Sequence, residues 1–190
     1  MSRWGAALTC ISFVSLLSAA APGPSATATL PDACEPLPEG EALISGLTTG
    51  QVFDDGSTTT LRFADEAYAC DTWPDGMSSK GCASHWTYRL TLPLTALTPG
   101  SIDLHAAGAD FNYLMNKSTP KSGGGCSDQE CTSGIYGIGV ADVNEGATLE
   151  IYSVSAGCIT GKLSGLTPLS DGIPMPPVNG AFFAVPCDGA

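Results

Sequence analysis

Residues 84–95 read Ser-His-Trp-Thr-Tyr-Arg-Leu-Thr-Leu-Pro-Leu-Thr, and this stretch decides the fold class. Trp86, Tyr88, Leu90, Leu92 and Leu94 share one parity, and His85, Thr87, Arg89 and Thr91 take the other. Side chains of an extended strand alternate between its two faces, so this pattern predicts a strand with one buried face. Pro93 sits on the polar parity and has no N–H to give to a ladder, which marks an edge or a strand end.

The same alternation recurs in shorter form on both sides. Leu61 and Phe63 flank Arg62; Ile102, Leu104 and Ala106 alternate with Asp103 and His105; Ile159 and Leu163 alternate with Thr160 and Lys162. Phe111 to Met115, Tyr136 to Val143, Leu149 to Val154 and Ala181 to Val185 are further strand candidates. Turn residues separate them: Asp54-Asp55-Gly56, Pro99-Gly100, Asn144-Glu145-Gly146, Ala156-Gly157 and Asn179-Gly180. The Asn144-Glu145-Gly146 turn reads as a hairpin between two such runs. No ten-residue segment has a helical period, and Ala64 to Cys70 has room for one or two helical turns.

Eight to ten short strands with Gly and Pro turns predict an all-β fold, an antiparallel β-sandwich stapled by disulfides. The expected organisation is a signal peptide over 1–28, an extended arm over 29–40 and one domain over 41–190. Ser118 to Gly125 reads as a loop, and the proline-rich Pro168 to Pro177 as the link before the last strand.

Export is predicted from the first residues. Arg3 is the one charge before an apolar stretch from about Leu8 to Ala21, too short for a membrane span and matching a signal peptide's apolar region. Cleavage after Ala28 is preferred, with Ala20 as the alternative. Lipid attachment fits poorly at Cys10, because the apolar run lies mostly after it, and at Cys34, because Pro31 and Asp32 stand just before it. The expected location is therefore secreted, periplasmic or at the cell surface, with no transmembrane segment.

The chain has 190 residues and a formal net charge of −12. All nineteen acids but only six of seven bases follow residue 28, so that part carries −13. Such a balance argues against nucleic acid, whose binding rests on Lys and Arg meeting phosphates. It keeps an extracellular domain in solution.

Seven of the eight cysteines follow residue 28. An oxidising compartment makes disulfides their default fate. Proximity along the chain suggests Cys70–Cys82, Cys126–Cys131 and Cys158–Cys187, leaving Cys34 unpaired and open to a disulfide-linked dimer. The competing arrangement joins Cys34 to Cys187 or to Cys158. Zinc is not expected, since no C-x2-C pair occurs and neither histidine lies near Cys126 and Cys131. No metal and no cofactor is predicted.

No catalytic signature stands out. A Ser/His/acid hydrolase needs a base beside a nucleophile, and His85 and His105 both fall on the outward parity of their strands. No G-x-S-x-G elbow occurs, and Ser118-Thr119-Pro120-Lys121 lacks the partner motifs of penicillin-recognising enzymes. Asp54-Asp55, Asp65-Glu66, Asp71 with Asp75, and Asp128 with Glu130 are carboxylate pairs of the kind that hold calcium or cleave glycosides; ordinary turn acids are the plainer reading. Asp142-Val143-Asn144 starts like a calcium loop but has its glycine at the wrong offset. Asn116-Lys117-Ser118 is a glycosylation sequon in a eukaryotic source. Trp73, beside Pro74-Asp75-Gly76, is the candidate contact for a sugar or protein partner, with Asp75, Asp128 and Glu130 as further candidate binding residues; its alternative role is a core plug.

The C-terminal third, from Gly146-Ala147-Thr148-Leu149-Glu150-Ile151 through Cys158-Ile159-Thr160-Gly161-Lys162 to Gly180-Ala181-Phe182-Phe183-Ala184-Val185-Pro186-Cys187, resembles the closing strands of small uncharacterised exported β-sandwich proteins of bacteria. The resemblance covers roughly 45 residues and is one of composition. It implies a sandwich with a Cys-linked final strand and brings no activity or site residues. The functional expectation is an exported, non-catalytic binding or structural surface protein whose partner is an unidentified protein or carbohydrate. The alternative is a secreted hydrolase using a carboxylate pair or His85.

Overall fold

A computed structural model describes residues 29–71, 85–94, 96–120, 131–167 and 178–187, with the backbone alone for 114–120 and 131–142. The described residues form nine strands and no helix: β1 (Thr49–Asp54), β2 (Thr59–Ala64), β3 (His85–Leu92), β4 (Gly100–Asp103), β5 (Asp110–Pro120), β6 (Cys131–Asp142), β7 (Thr148–Val154), β8 (Ile159–Ser164) and β9 (Gly180–Pro186). The sequon's Asn116 lies within β5.

All nine belong to one hydrogen-bonded order, β4-β7-β8-β9-β1-β2-β3-β5-β6. Every pairing is antiparallel except β1 with β9, where Gln51 opposes Val185 and Val52 opposes Pro186. A parallel bridge from Leu43 to Ala181 continues that line. The architecture is therefore a curled mixed sheet rather than the two separate antiparallel sheets expected of a sandwich. The parallel pair arises because the last strand runs between β8 and β1 and joins what would otherwise be two sheets.

Connectivity explains the curl. In a flat sheet β4 and β5 would be seven strand spacings apart, about 34 Å. The link from Asp103 to Asp110 reaches about 25 Å at full extension. β6 and β7 are separated by the same seven spacings and joined by a still shorter link. Both ends of the sheet must roll toward each other, and the two links meet where the Leu104 N–H donates to the Ala147 carbonyl at 3.0 Å.

Rolling creates the core. Trp86, Tyr88, Leu90 and Leu92 of β3 are buried, as their parity requires, and join one cluster with Leu149, Leu163 and Phe182 from the other flank. Phe63 lies 5.0 Å from Phe182 and 5.2 Å from Tyr88 between ring centroids, and Trp86 stacks on Tyr88 at 4.9 Å. Such ring pairs add roughly 0.5–1.5 kcal/mol each beyond burial. The backbones of β1 and β9 approach so closely that a Cβ on Gly50 would fall onto the Phe183 carbonyl.

Several local expectations change. β1 carries no clean alternation to mark it in the sequence; its burial on both faces over residues 49–52 removes the pattern. Ile102 to Ala106 is a strand only to Asp103, because the Asp103 carboxylate accepts from the Ala106 N–H at 2.9 Å and turns the chain. Asn144-Glu145-Gly146 is not a hairpin turn: β6 pairs with β5, and β7 with β4 and β8. Ala64 to Cys70 makes no helical turn. It runs back over β1 as an irregular strap, with Thr49 Oγ1 donating to the Glu66 carbonyl and Gln51 Nε2 to the Tyr68 carbonyl at 3.0 Å.

The disulfides are also a correction. Cys34 bonds Cys158 and Cys70 bonds Cys187, so neither Cys70–Cys82 nor Cys158–Cys187 forms. Cys34 is bridged within the chain, which removes it as a thiol for dimer formation. The arm explains this outcome. Ile44 N–H donates to the Ala181 carbonyl, Ala181 N–H donates to the Ala42 carbonyl, and Lys162 Nζ meets Glu41 at 2.8 Å. These contacts lay the N-terminal segment along β9 and β8, where Ala33 packs against Gly157 beside Cys158. Cys126 and Cys82 lie outside the described residues, and of Cys131 only the backbone is described. No helix of the described residues is long and apolar enough to cross a membrane.

Candidate binding cleft

The strand ends β1 (C-terminal), β2 (N-terminal), β7 (C-terminal), β8 (N-terminal) and β9 (C-terminal) gather at one mouth of the roll. Between them lies an open cleft of about 350 Å³. Its walls are aliphatic: Val52, Ala96, Leu97, Val154, Ile159 and Pro186. Asp54, Thr59, Ser155 and Cys187 complete the lining. Val154, 43% exposed, is the one large hydrophobic side chain left in solvent among the described residues, and it lies on this rim.

Both disulfides brace the mouth. Cys187 is itself a lining residue, and Cys158 adjoins Ile159. A site held open by covalent ties keeps its shape without a partner, which lowers the ordering cost of binding. A volume near 350 Å³ lies at the small end of ligand pockets.

The polar groups here are engaged mainly with the backbone. Thr59 Oγ1 donates to the Leu94 carbonyl at 2.9 Å. Ser155 Oγ donates to the Cys158 carbonyl and accepts from its N–H. Asp54 uses one oxygen to accept from the Gly56 N–H at 2.8 Å. No histidine lines the cleft among the described residues.

A second cluster lies at the far end of β1–β3, on the outer face. His85 Nδ1 is 3.7 Å from Asp65, and His85 Nε2 is 3.4 Å from Glu66. Both separations are longer than an ordinary hydrogen bond. Tyr68 donates its hydroxyl to Glu66 at 2.7 Å, and the Trp86 N–H donates to Asp65 at 3.0 Å. Burial pushes the Asp65 carboxyl up, against the lowering effect of the Trp86 N–H and of His85. Burial, together with the Glu66 hydrogen bond, raises the Tyr68 phenol. His85 has the outward parity read from the sequence, but the strap covers it, and its side chain is only 16% exposed.

The remaining candidates divide plainly. Trp73, Asp75, Asp128 and Glu130 lie outside the described residues. His105 is exposed in the turn after β4. Asp55 is a turn acid: one oxygen accepts from Ser57 N–H, Ser57 Oγ and Thr58 N–H, the other from Thr58 Oγ1. Those donors, the Ser57 hydroxyl foremost, hold its carboxyl well below the usual range. Asn144 clamps the Gly165–Thr167 segment, donating to the Gly165 carbonyl and accepting from the Thr167 N–H. No group of three His, Cys, Asp or Glu side chains suited to a metal occurs among the described residues.

Sequence reasoning missed the cleft because its walls come from six segments that meet only at strand ends. One signal was legible: Val154 is an apolar residue on the parity of Glu150 and Tyr152. No protein-family model, curated protein or solved structure matches the chain.

Proposed function

We propose that this chain is an exported, non-catalytic binding domain that takes its ligand in the aliphatic cleft at the mouth of the roll. In this reading the two flanks of the curled sheet work as the halves of a sandwich, and its end carries the contact surface, as is usual for such folds. The observation that carries the reading is an open, largely aliphatic cleft with disulfides at its wall and rim, whose lining hydroxyls are engaged by the backbone and whose one carboxylate, Asp54, has no histidine or free thiol beside it among the described lining residues. The oxidised protein should bind a neutral naphthalene dye such as N-phenyl-1-naphthylamine saturably. Ala96→Trp, at an exposed lining position, should abolish the signal and leave the melting temperature unchanged. Dye binding that Ala96→Trp does not alter would refute the cleft as the site.

The hydrolase reading ranks second and rests on His85 standing between Asp65 and Glu66. Both ring nitrogens face carboxylates of the segment that runs back over β1, and the cluster reads better as a clasp that fixes this strap. Turnover of a chromogenic ester or glycoside that disappears in His85→Ala would promote it.

A further inference from the structure

The cleft's electrostatics say what kind of ligand it would hold. Among its described lining residues Asp54 is the one titratable group, since Cys187 is bridged and both hydroxyls donate to backbone carbonyls. Asp54 is exposed at the end of β1, and only one of its oxygens has a partner within the described residues. Its neighbours in the wall are aliphatic, so no lining base competes for it. The whole chain, with 19 acids against 7 bases, adds an attractive field for cations. The space itself corresponds to about twelve water volumes at roughly 30 Å³ each, room for a chain of about ten carbons.

Resting on the cleft reading, we infer that the ligand is a cationic amphiphile: an aliphatic chain lying against Val52, Leu97, Val154 and Ile159, with a positively charged head at Asp54. Apolar contact supplies the affinity, and the carboxylate at the lip supplies the sign preference. An anionic head of the same size meets repulsion at that position, and a neutral head meets neither effect.

The test compares three ligands with the same ten-carbon chain by calorimetry on the oxidised full-length protein, each below its micelle concentration. Decyltrimethylammonium should bind about tenfold more tightly than decyl maltoside, and decyl sulfate more weakly than either, in keeping with a partly screened charge contact. Asp54→Asn keeps the acceptor for the Gly56 N–H and should remove most of the spread between the three affinities, leaving only the small preference that the acidic chain as a whole exerts. Glu145→Gln, an exposed acid in the link between β6 and β7, should leave the preference intact. Equal affinities in the parent protein, or a preference undiminished by Asp54→Asn, would overturn the inference while the cleft reading stands. Amphiphile binding unchanged by Ala96→Trp would remove both.

Discussion

Replacing Cys34 by Ala tests the bridging pattern on which the cleft depends. The structure joins Cys34 to Cys158 across 124 residues. Chain entropy alone assigns a loop of that size about 4.9 kcal/mol. The second bridge, Cys70–Cys187, shortens the path through the unfolded chain to the 36 residues from Cys34 to Cys70 plus the 29 from Cys158 to Cys187. That leaves an effective loop of about 65 residues, worth about 4.3 kcal/mol while the second bridge is intact. For a chain of this length the melting temperature should fall by roughly 9–17 °C. Cys34→Ala, Cys158→Ala and the double variant are compared by urea denaturation, with alanine chosen because Cys158 is only 1% exposed and a serine hydroxyl would add a buried polar group. All three should lose about the same amount, since either single change already breaks the bond. If Cys34→Ala has no effect while Cys158→Ala destabilises, then Cys34 is unbridged, the short Cys158–Cys187 loop is real, and the rim of the cleft is not tied to the N-terminal arm.

Gly50→Ala should cost more than about 3 kcal/mol and suppress accumulation of folded protein, because its Cβ meets the Phe183 backbone and not a movable side chain; recovery of a normally melting variant would show that β1 and β9 are not in contact. Phe182→Ala should destabilise by about 3–5 kcal/mol in chemical denaturation, since it removes the ring that joins the two flanks against Phe63. Tyr88→Phe should be neutral or stabilising, because the Tyr88 hydroxyl is buried and has no hydrogen-bond partner among the described residues; a loss above about 1 kcal/mol would reveal a partner. Asp55 has a folded-state pKa below its unfolded value, so its contribution is present above about pH 4 and is lost as the pH falls further. The stability gap between parent and Asp55→Asn should therefore narrow on acidification in pH-dependent melts, and a gap that widens would contradict the hydrogen-bonded turn.

The strands are readable where one face is buried and the other wet. Ser84 to Thr95 shows this best: β3 runs from His85 to Leu92 and ends before Pro93 as expected. β1 is not readable, because the strap covers its outer face while β9 and the core cover the rest, and burial on both sides erases alternation. His85 departs from expectation for the same reason: parity gives the face of a strand but not what lies over that face. The turn acids Asp54 and Asp55 fall where the sequence puts them, since the hydrogen bonds that fix them span only two or three residues.

By itself, then, the sequence determined the properties that depend on near neighbours: an all-β chain, its turns, its acidic balance and cysteines able to cross-link. Tertiary structure alone decided the sheet order, the parallel β1–β9 seam, the two long-range bridges and the cleft between strand ends. Each of these joins residues a hundred or more positions apart, or packs one segment across another. Alternation and spacing carry no information about which distant edges meet; two connecting links too short to span a flat sheet do, and they become visible only once the pairing is known.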